Sequence, residues 1–160
     1  MSAQIAPEVE RLRFLREVVE LEARYLAQTD ARLFATPLSL LQVQRLPSDL
    51  DTAERVDAFV ARLGRLQDGL TDKLIPALLR RLAEPVGAVI DNLNRAEKLG
   101  WLLSTDEWLR LRQLRNRMIH EYVKDPALLC DALNAGHGGV AMLLAVARRL
   151  CAEVDARLGP

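Results

Sequence analysis

The stretch STDEWLRLRQLRNRMIHEYVKDP, residues 104–126, contains both the start and the end of one amphipathic helix. Ser104 and Glu107 have the spacing of a capping box, in which each side chain satisfies a backbone N–H at the helix start. Asp125 and the proline after it form the cap and first turn of another helix. The stretch therefore predicts a helix over residues 105–124 and a further helix directly after it.

Two more amphipathic helices precede this stretch. Apolar residues recur at three- and four-residue steps over residues 7–34 and again over residues 56–74, which is the period of a helix with one buried face. Ser48 or Asp49 can cap the second of these helices. Pro76 is expected to kink it, because proline removes a backbone N–H from the helical ladder.

Prolines and glycines mark the remaining boundaries. Residues 36–50 have no clear period and predict a connection, with one extra turn near residues 38–43. A proline at its start and a glycine at its end predict a helix over residues 85–99. The sequence AGHGG, residues 135–139, is expected to break the last helix in two, because each glycine costs about 1 kcal/mol within a helix. His137 would then lie in a flexible turn.

Composition agrees with a helical protein. Half of the residues are apolar and only 4% are aromatic, and Leu, Ala and Arg are among the commonest residue types, as in packed helical proteins. We therefore expect an all-α fold, an up-and-down bundle of four to five main helices in a single domain over residues 1–160.

Charge and cysteine content exclude several function classes. The chain has 22 basic and 22 acidic residues, so contact with a polyanion requires a local patch rather than net charge. Cys130 and Cys151 lack the spacing of a zinc site, and no metal or cofactor is predicted. The longest clean apolar run, residues 140–147, is far shorter than the roughly 20 residues of a membrane span. We expect a cytoplasmic protein without a membrane segment.

Arg115 interrupts the apolar face of the helix over residues 105–124. Trp108, Leu111 and Met118 lie on that face at about 100° per residue, and Arg115 falls among them. The arginine can extend its charge to solvent, pair with an acid such as Asp68 or Asp91, or line a cleft. The pattern leaves all three interpretations open.

Three further polar residues follow Arg115 on the same helix. Asn116 and His120 are four residues apart and therefore adjacent, and Tyr122 is seven residues after the arginine and nearly in line with it. Arginine, asparagine, histidine and tyrosine in this arrangement resemble the signature of the HEPN superfamily, specifically of HepT-like ribonuclease toxins. Residues 56–125 look like that family as a whole.

The resemblance implies a homodimer in which two motif helices face each other and form one RNA-cleaving cleft. It implies that His120 exchanges protons with the RNA 2′-hydroxyl or the 5′-oxygen, and that Arg115 stabilises the charged phosphorane. Asn116 would orient the histidine or the phosphate, and Arg112 is predicted as an auxiliary RNA contact. The expected products are a 2′,3′-cyclic phosphate and a 5′-hydroxyl, with tRNA and mRNA as the candidate substrates. No metal is required, because the substrate supplies the nucleophile.

The resemblance also implies a protein partner. In HepT-like systems the toxin is encoded beside a minimal nucleotidyltransferase (MNT) antitoxin, which can transfer AMP to the motif tyrosine. AMP on Tyr122 would add charge and volume to the cleft and repel RNA phosphate. Two alternatives stay open: a non-cleaving HEPN subunit that docks a nucleotidyltransferase or a nucleotide, and a purely structural helical dimer.

Overall fold

The computed structural model of the chain describes residues 2–120 and 124–159, and these residues form α-helices and short turns without a β-strand. The all-α prediction is thus confirmed for the described part of the chain. The helices are α1 (Ser2–Leu33), α2 (Leu40–Gln44), α3 (Leu50–Gly69), α4 (Ile75–Arg81), α5 (Val89–Lys98), α6 (Thr105–His120) and α7 (Pro126–Leu158).

The four longest helices pack as a bundle. α1 contacts α3 and α7, and α6 contacts the same two helices from the other side. One hydrophobic core runs between them, and its largest fully buried side chains include Phe59 of α3 and Trp108 and Met118 of α6. α6 therefore has two neighbours, α3 on one side and α7 on the other.

Local capping signals place several helix ends as the sequence predicts. The Asp49 carboxylate accepts a hydrogen bond from the Thr52 backbone N–H, 3.2 Å away, at the start of α3. Asp125 Oδ1 accepts from the backbone N–H groups of the first turn of α7, at 3.0 and 3.2 Å. Ser104 Oγ accepts from the Glu107 backbone N–H at 3.2 Å. The predicted extra turn near residue 40 is helix α2, capped by Ser39.

The interruption expected at Pro76 lies earlier in the chain. A π-helical turn, Leu70–Leu74, joins α3 to α4, and Pro76 occupies the first turn of α4. A first-turn proline loses no helical hydrogen bond, so the residue is accommodated by the start of a new helix.

The prediction that α5 starts at Pro85 is wrong, because the helix begins at Val89. The buried Asn92 side chain hydrogen-bonds both the backbone N–H and the carbonyl of Gly87, at 2.9 and 3.1 Å, and holds the entry segment outside the helix. The predicted end is confirmed, since Gly100 follows α5 with a φ of 77°.

The predicted break at residues 135–139 is also wrong, because α7 runs without interruption from Pro126 to Leu158. Close packing explains the glycines. A Cβ on Gly136 would lie 2.5 Å from Met118 Cε, and one on Gly139 would lie 2.8 Å from Leu111 Cδ1. The approach of α6 to α7 thus requires small residues here, and its burial offsets their low helix propensity.

His137 accordingly lies within a helix and not in a turn. Its Nδ1 is 2.6 Å from Asp30 Oδ1 of α1, and its ring stacks on Phe34 with 4.4 Å between centroids. The histidine therefore joins α7 to α1.

The length of α7 bears on the membrane prediction. By length and composition alone this helix could cross a membrane, and 44% of its most apolar part is buried within the protein. Its buried side packs on α1 and α6. The predicted absence of a membrane segment stays a prediction.

Candidate functional site

A buried hydrogen-bond network fixes α6 against α3. Trp108 Nε1 donates to Thr71 Oγ1 at 2.8 Å, and that hydroxyl donates to the Gln67 carbonyl at 2.7 Å. Gln67 Nε2 completes the network by donating to the Trp108 carbonyl at 2.8 Å. All three side chains are almost fully buried. The network sets the register of α6 two turns before the motif residues.

Arg115 pairs with Asp68 of α3. Its Nη1 lies 2.6 Å from Asp68 Oδ2, and the arginine side chain is only 14% exposed. Gly64 makes room for it, since a Cβ there would lie 2.8 Å from Arg115 Cδ. Of the two acids proposed from the sequence, Asp68 is the partner, whereas Asp91 is exposed on α5.

The same arginine also lines a groove, so two of the three interpretations apply together. The groove lies between α3 and α6, has a volume of about 660 Å³, and includes Val60, Ala61 and the half-exposed Ile119. Arg115 Nε and Asp68 Oδ1 are buried and have no hydrogen-bond partner among the described residues. The ion pair thus retains one unused donor and one unused acceptor.

Arg112 faces carboxylates rather than open solvent. Its Nη2 lies 3.6 Å from Asp72 Oδ2 and 3.9 Å from Asp68 Oδ1. Asp72 belongs to the π-helical turn, a type of distortion that is frequent at functional sites. The α3 side of α6 therefore holds two arginines against two aspartates.

Asn116 and His120 occupy the outer surface of α6. Both are exposed, and no side-chain hydrogen bond joins either to another described residue. Five residues at about 100° each place His120 about 140° around the helix from Arg115. The fold therefore brings Arg112 and Arg115 together, leaves Asn116 and His120 apart from them, and Tyr122 lies outside the described residues.

A second groove, between α6 and α7, was not predicted from the sequence. It has a volume of about 560 Å³ and includes Arg110 and Arg117 of α6 and Gly138 and Met142 of α7. The seven-residue spacing of the two arginines was the available signal, because it places both on one side of the helix. The sequence offered no means of telling which neighbour that side would face.

The described residues contain neither a candidate metal site nor an exposed thiol. Within residues 2–120 and 124–159, no three His, Cys, Asp or Glu side chains form a group that could hold a metal ion. Cys130 and Cys151 are free and buried. Burial raises the pKa of both thiols, which favours the unreactive protonated form.

Comparison with known proteins adds no family assignment. No protein-family model, curated protein or solved structure matches this chain. The HEPN resemblance therefore depends on the residues of α6 and the segments around them.

Proposed function

We propose that the protein is a cytoplasmic, metal-independent endoribonuclease and the toxin of a toxin–antitoxin pair. The observation that carries the proposal is the outer surface of α6, where Asn116 and His120 are exposed side by side without a partner among the described residues. Histidine is the side chain that most readily takes and returns protons near neutral pH.

The proposed reaction follows from that imidazole. His120 takes the proton of the RNA 2′-hydroxyl, and the 2′-oxygen forms a bond to the adjacent phosphorus. The bond from phosphorus to the 5′-oxygen then breaks, and the leaving oxygen receives the proton that His120 took up, directly or through water. The products are a 2′,3′-cyclic phosphate and a 5′-hydroxyl, and no oxidant or further nucleophile is consumed. Asn116 would orient the imidazole or the phosphate.

Arg115 enters this proposal through a second copy of the chain. Within one protomer it points away from His120, so one phosphate meets both residues only where two α6 helices face each other. Ile119, which is 52% exposed and one turn from Arg115, supplies apolar surface for such a contact. We infer a homodimer through α6, with the planar guanidinium stabilising the phosphorane.

The antitoxin is part of the same proposal. An MNT-type nucleotidyltransferase would transfer AMP to Tyr122, seven residues after Arg115, and the added phosphate would compete with RNA for the cleft. This step rests on the sequence resemblance alone.

One observation favours the non-cleaving alternative. Arg115 is held by Asp68 at 2.6 Å and is mostly buried, so it contacts phosphate only if it exchanges one anion for another. A subunit that only docks a nucleotidyltransferase or a nucleotide requires no such exchange.

Induction of the protein in a bacterial host separates the two functions. We expect the wild-type protein to arrest growth and to generate new 5′-hydroxyl RNA ends, and His120→Ala to do neither at equal abundance. His137→Ala is the matched control, because it removes the other histidine of the chain, and it should retain toxicity. Equal behaviour of wild type and His120→Ala would support the docking subunit.

A further inference from the structure

The groove between α6 and α7 carries cations on its α6 rim. Arg110 and Arg117 are both exposed and lie within about 20° of each other around the helix, separated by about 10 Å along its axis. Arg110 forms no ion pair with a described residue. Arg117 has none within the described part of the chain either, and Glu121, one turn further on, lies outside that part.

The α7 wall of the groove offers space and no opposing charge. A Cβ on Gly138 would meet nothing within 4 Å, so the groove floor is open at this point. The α7 sequence has no carboxylate between Asp131 and Glu153. Glu107 is the one acidic residue among the described groove-lining residues. The groove can thus admit a bulky anion along its length.

The position of the groove connects it to the proposed reaction centre. Arg117 is three residues before His120, and residues with this spacing are neighbours on a helix surface. Leu114 and Met142 line the groove between the arginines and supply apolar surface for bases. Single-strand binding grooves combine basic side chains that follow the phosphate backbone with a surface, usually aromatic, on which the bases stack. Here Leu114 and Met142 take the place of the aromatic surface.

We propose that this groove binds the phosphate backbone of single-stranded RNA beside His120, with Arg110 and Arg117 as the phosphate contacts. The choice of RNA as the occupant rests on the proposed function, whereas the anion-binding character rests on the groove itself. The geometry thereby moves the auxiliary contact from Arg112, which faces Asp68 and Asp72, to the opposite side of α6.

The test measures binding of a fluorescein-labelled oligouridylate by anisotropy, with His120→Ala in every protein so that the RNA stays intact. Arg110→Gln combined with Arg117→Gln should lower affinity at least tenfold. The slope of log K against log salt should shrink by about 1.4, the value for two phosphate contacts on a single strand. Arg13→Gln combined with Arg24→Gln, two exposed arginines of α1, removes equal charge and should change neither quantity.

Gly138→Leu provides a second test that leaves the charge unchanged. The side chain would occupy the open groove floor, so we expect weaker RNA binding with a melting temperature that is not lowered. Unchanged binding in both groove variants would overturn the groove proposal, and so would an equal loss in the α1 control.

Cleavage is measured separately with His120 intact, which distinguishes the two proposals. Groove-dependent binding without cleavage would support the groove and contradict the nuclease. Cleavage with full activity in the Arg110 and Arg117 double variant would support the nuclease and contradict the groove. If the wild-type protein neither binds nor cuts the RNA, both proposals fail.

Discussion

Both sides of α6 carry two arginines, but those on one side are paired with carboxylates and those on the other side are not paired within the described part of the chain. Toward α3, Arg112 and Arg115 lie against aspartates, and Arg115 is almost buried. Toward α7, Arg110 and Arg117 face an open groove. The neighbouring element makes the difference, because α3 and the π-helical turn after it supply carboxylates, whereas α7 supplies glycine and methionine. The charge on a helix thus indicates binding only once the opposite wall is known.

The largest expected effect lies on the α3 side, at the buried network. Trp108→Ala should lower the free energy of unfolding by about 3–5 kcal/mol, because it removes a fully buried indole and leaves a cavity. Gln113→Ala, on the exposed side of the same helix, should change it by no more than about 0.5 kcal/mol. Urea denaturation of both variants measures the contrast.

Trp108→Phe covers the case in which the alanine variant does not fold. It removes the N–H that donates to Thr71 together with part of the buried ring, and we expect a loss of about 1–3 kcal/mol. A wild-type stability for this variant would mean that the network does not hold α6 in place.

The next effect concerns the ion pair. Arg115→Ala should cost about 1–2 kcal/mol, since it leaves the Asp68 carboxylate partly buried without its partner. A double-mutant cycle with Asp68→Ala should give a coupling energy of about 1 kcal/mol, moderated by solvent at the 38% exposed aspartate. Arg117→Ala is the control from the open side and should be neutral. A coupling energy near zero would mean that Arg115 gains no more from its aspartate than Arg117 does from the open groove, and it would contradict the difference between the two sides of α6.

Two neighbouring glycines of α7, the helix that forms the other wall of the groove, should respond differently to the same substitution. Gly138→Ala should raise stability by about 0.5–1 kcal/mol, because alanine favours the helix and the added Cβ meets no atom. Gly139→Ala should lower it by about 1 kcal/mol, because its Cβ would press on Leu111. Thermal denaturation of the two variants tests this, and equal shifts would contradict the close packing of Gly139 against Leu111.

The smallest expected effect comes from Glu22 of α1, a carboxylate near α3. Unlike Asp68, it forms no ion pair with an arginine of the described residues. Its Oε2 is buried without a hydrogen-bond partner among the described residues. Burial raises the pKa of Glu22 above its ordinary value of 4.5, and the charges of Arg65 and Lys73 oppose this only in part. The folded state therefore favours the protonated carboxyl.

The sign of the pH dependence follows from that raised pKa. The stabilising contribution of Glu22 is complete below pH 4.5 and is lost as the pH rises through the folded-state pKa. Glu22→Gln should thus raise the free energy of unfolding at neutral pH by less than about 1 kcal/mol, which raises the melting temperature. In acid the substitution should leave both quantities unchanged. The exposed Glu17→Gln is the control. An equal gain at both pH values would show that protonation is not the cause.

The sequence predicts features that depend on residues within one helical turn. The caps at Asp49 and Asp125 and the end of α5 before Gly100 are such features, and all three are confirmed. The start of α5 was missed because Asn92, a residue inside the helix, bonds back to the loop before it. Such side-chain contacts leave no periodic signal.

The other errors concern contacts between distant parts of the chain. The continuity of α7 depends on how closely Met118 and Leu111 approach its glycines, and no local rule contains that distance. The helical pattern leaves open whether Arg115 pairs with an acid such as Asp68 or Asp91, and the choice of Asp68 depends on the packing of α6 against α3. The exposure of Asn116 and His120 likewise follows from which side of α6 that packing covers.

The most direct test of the account is cleavage of a single-stranded RNA by the purified protein, with the ends of the products identified. We predict 2′,3′-cyclic phosphate and 5′-hydroxyl ends from the wild-type protein, and a rate at least about 100-fold lower for His120→Ala, whose melting temperature should be unchanged. His137→Ala should cut at the wild-type rate below its own melting temperature. Equal cleavage by wild type and His120→Ala, or no cleavage by the folded wild-type protein, would contradict the assignment of His120 as the reactive residue.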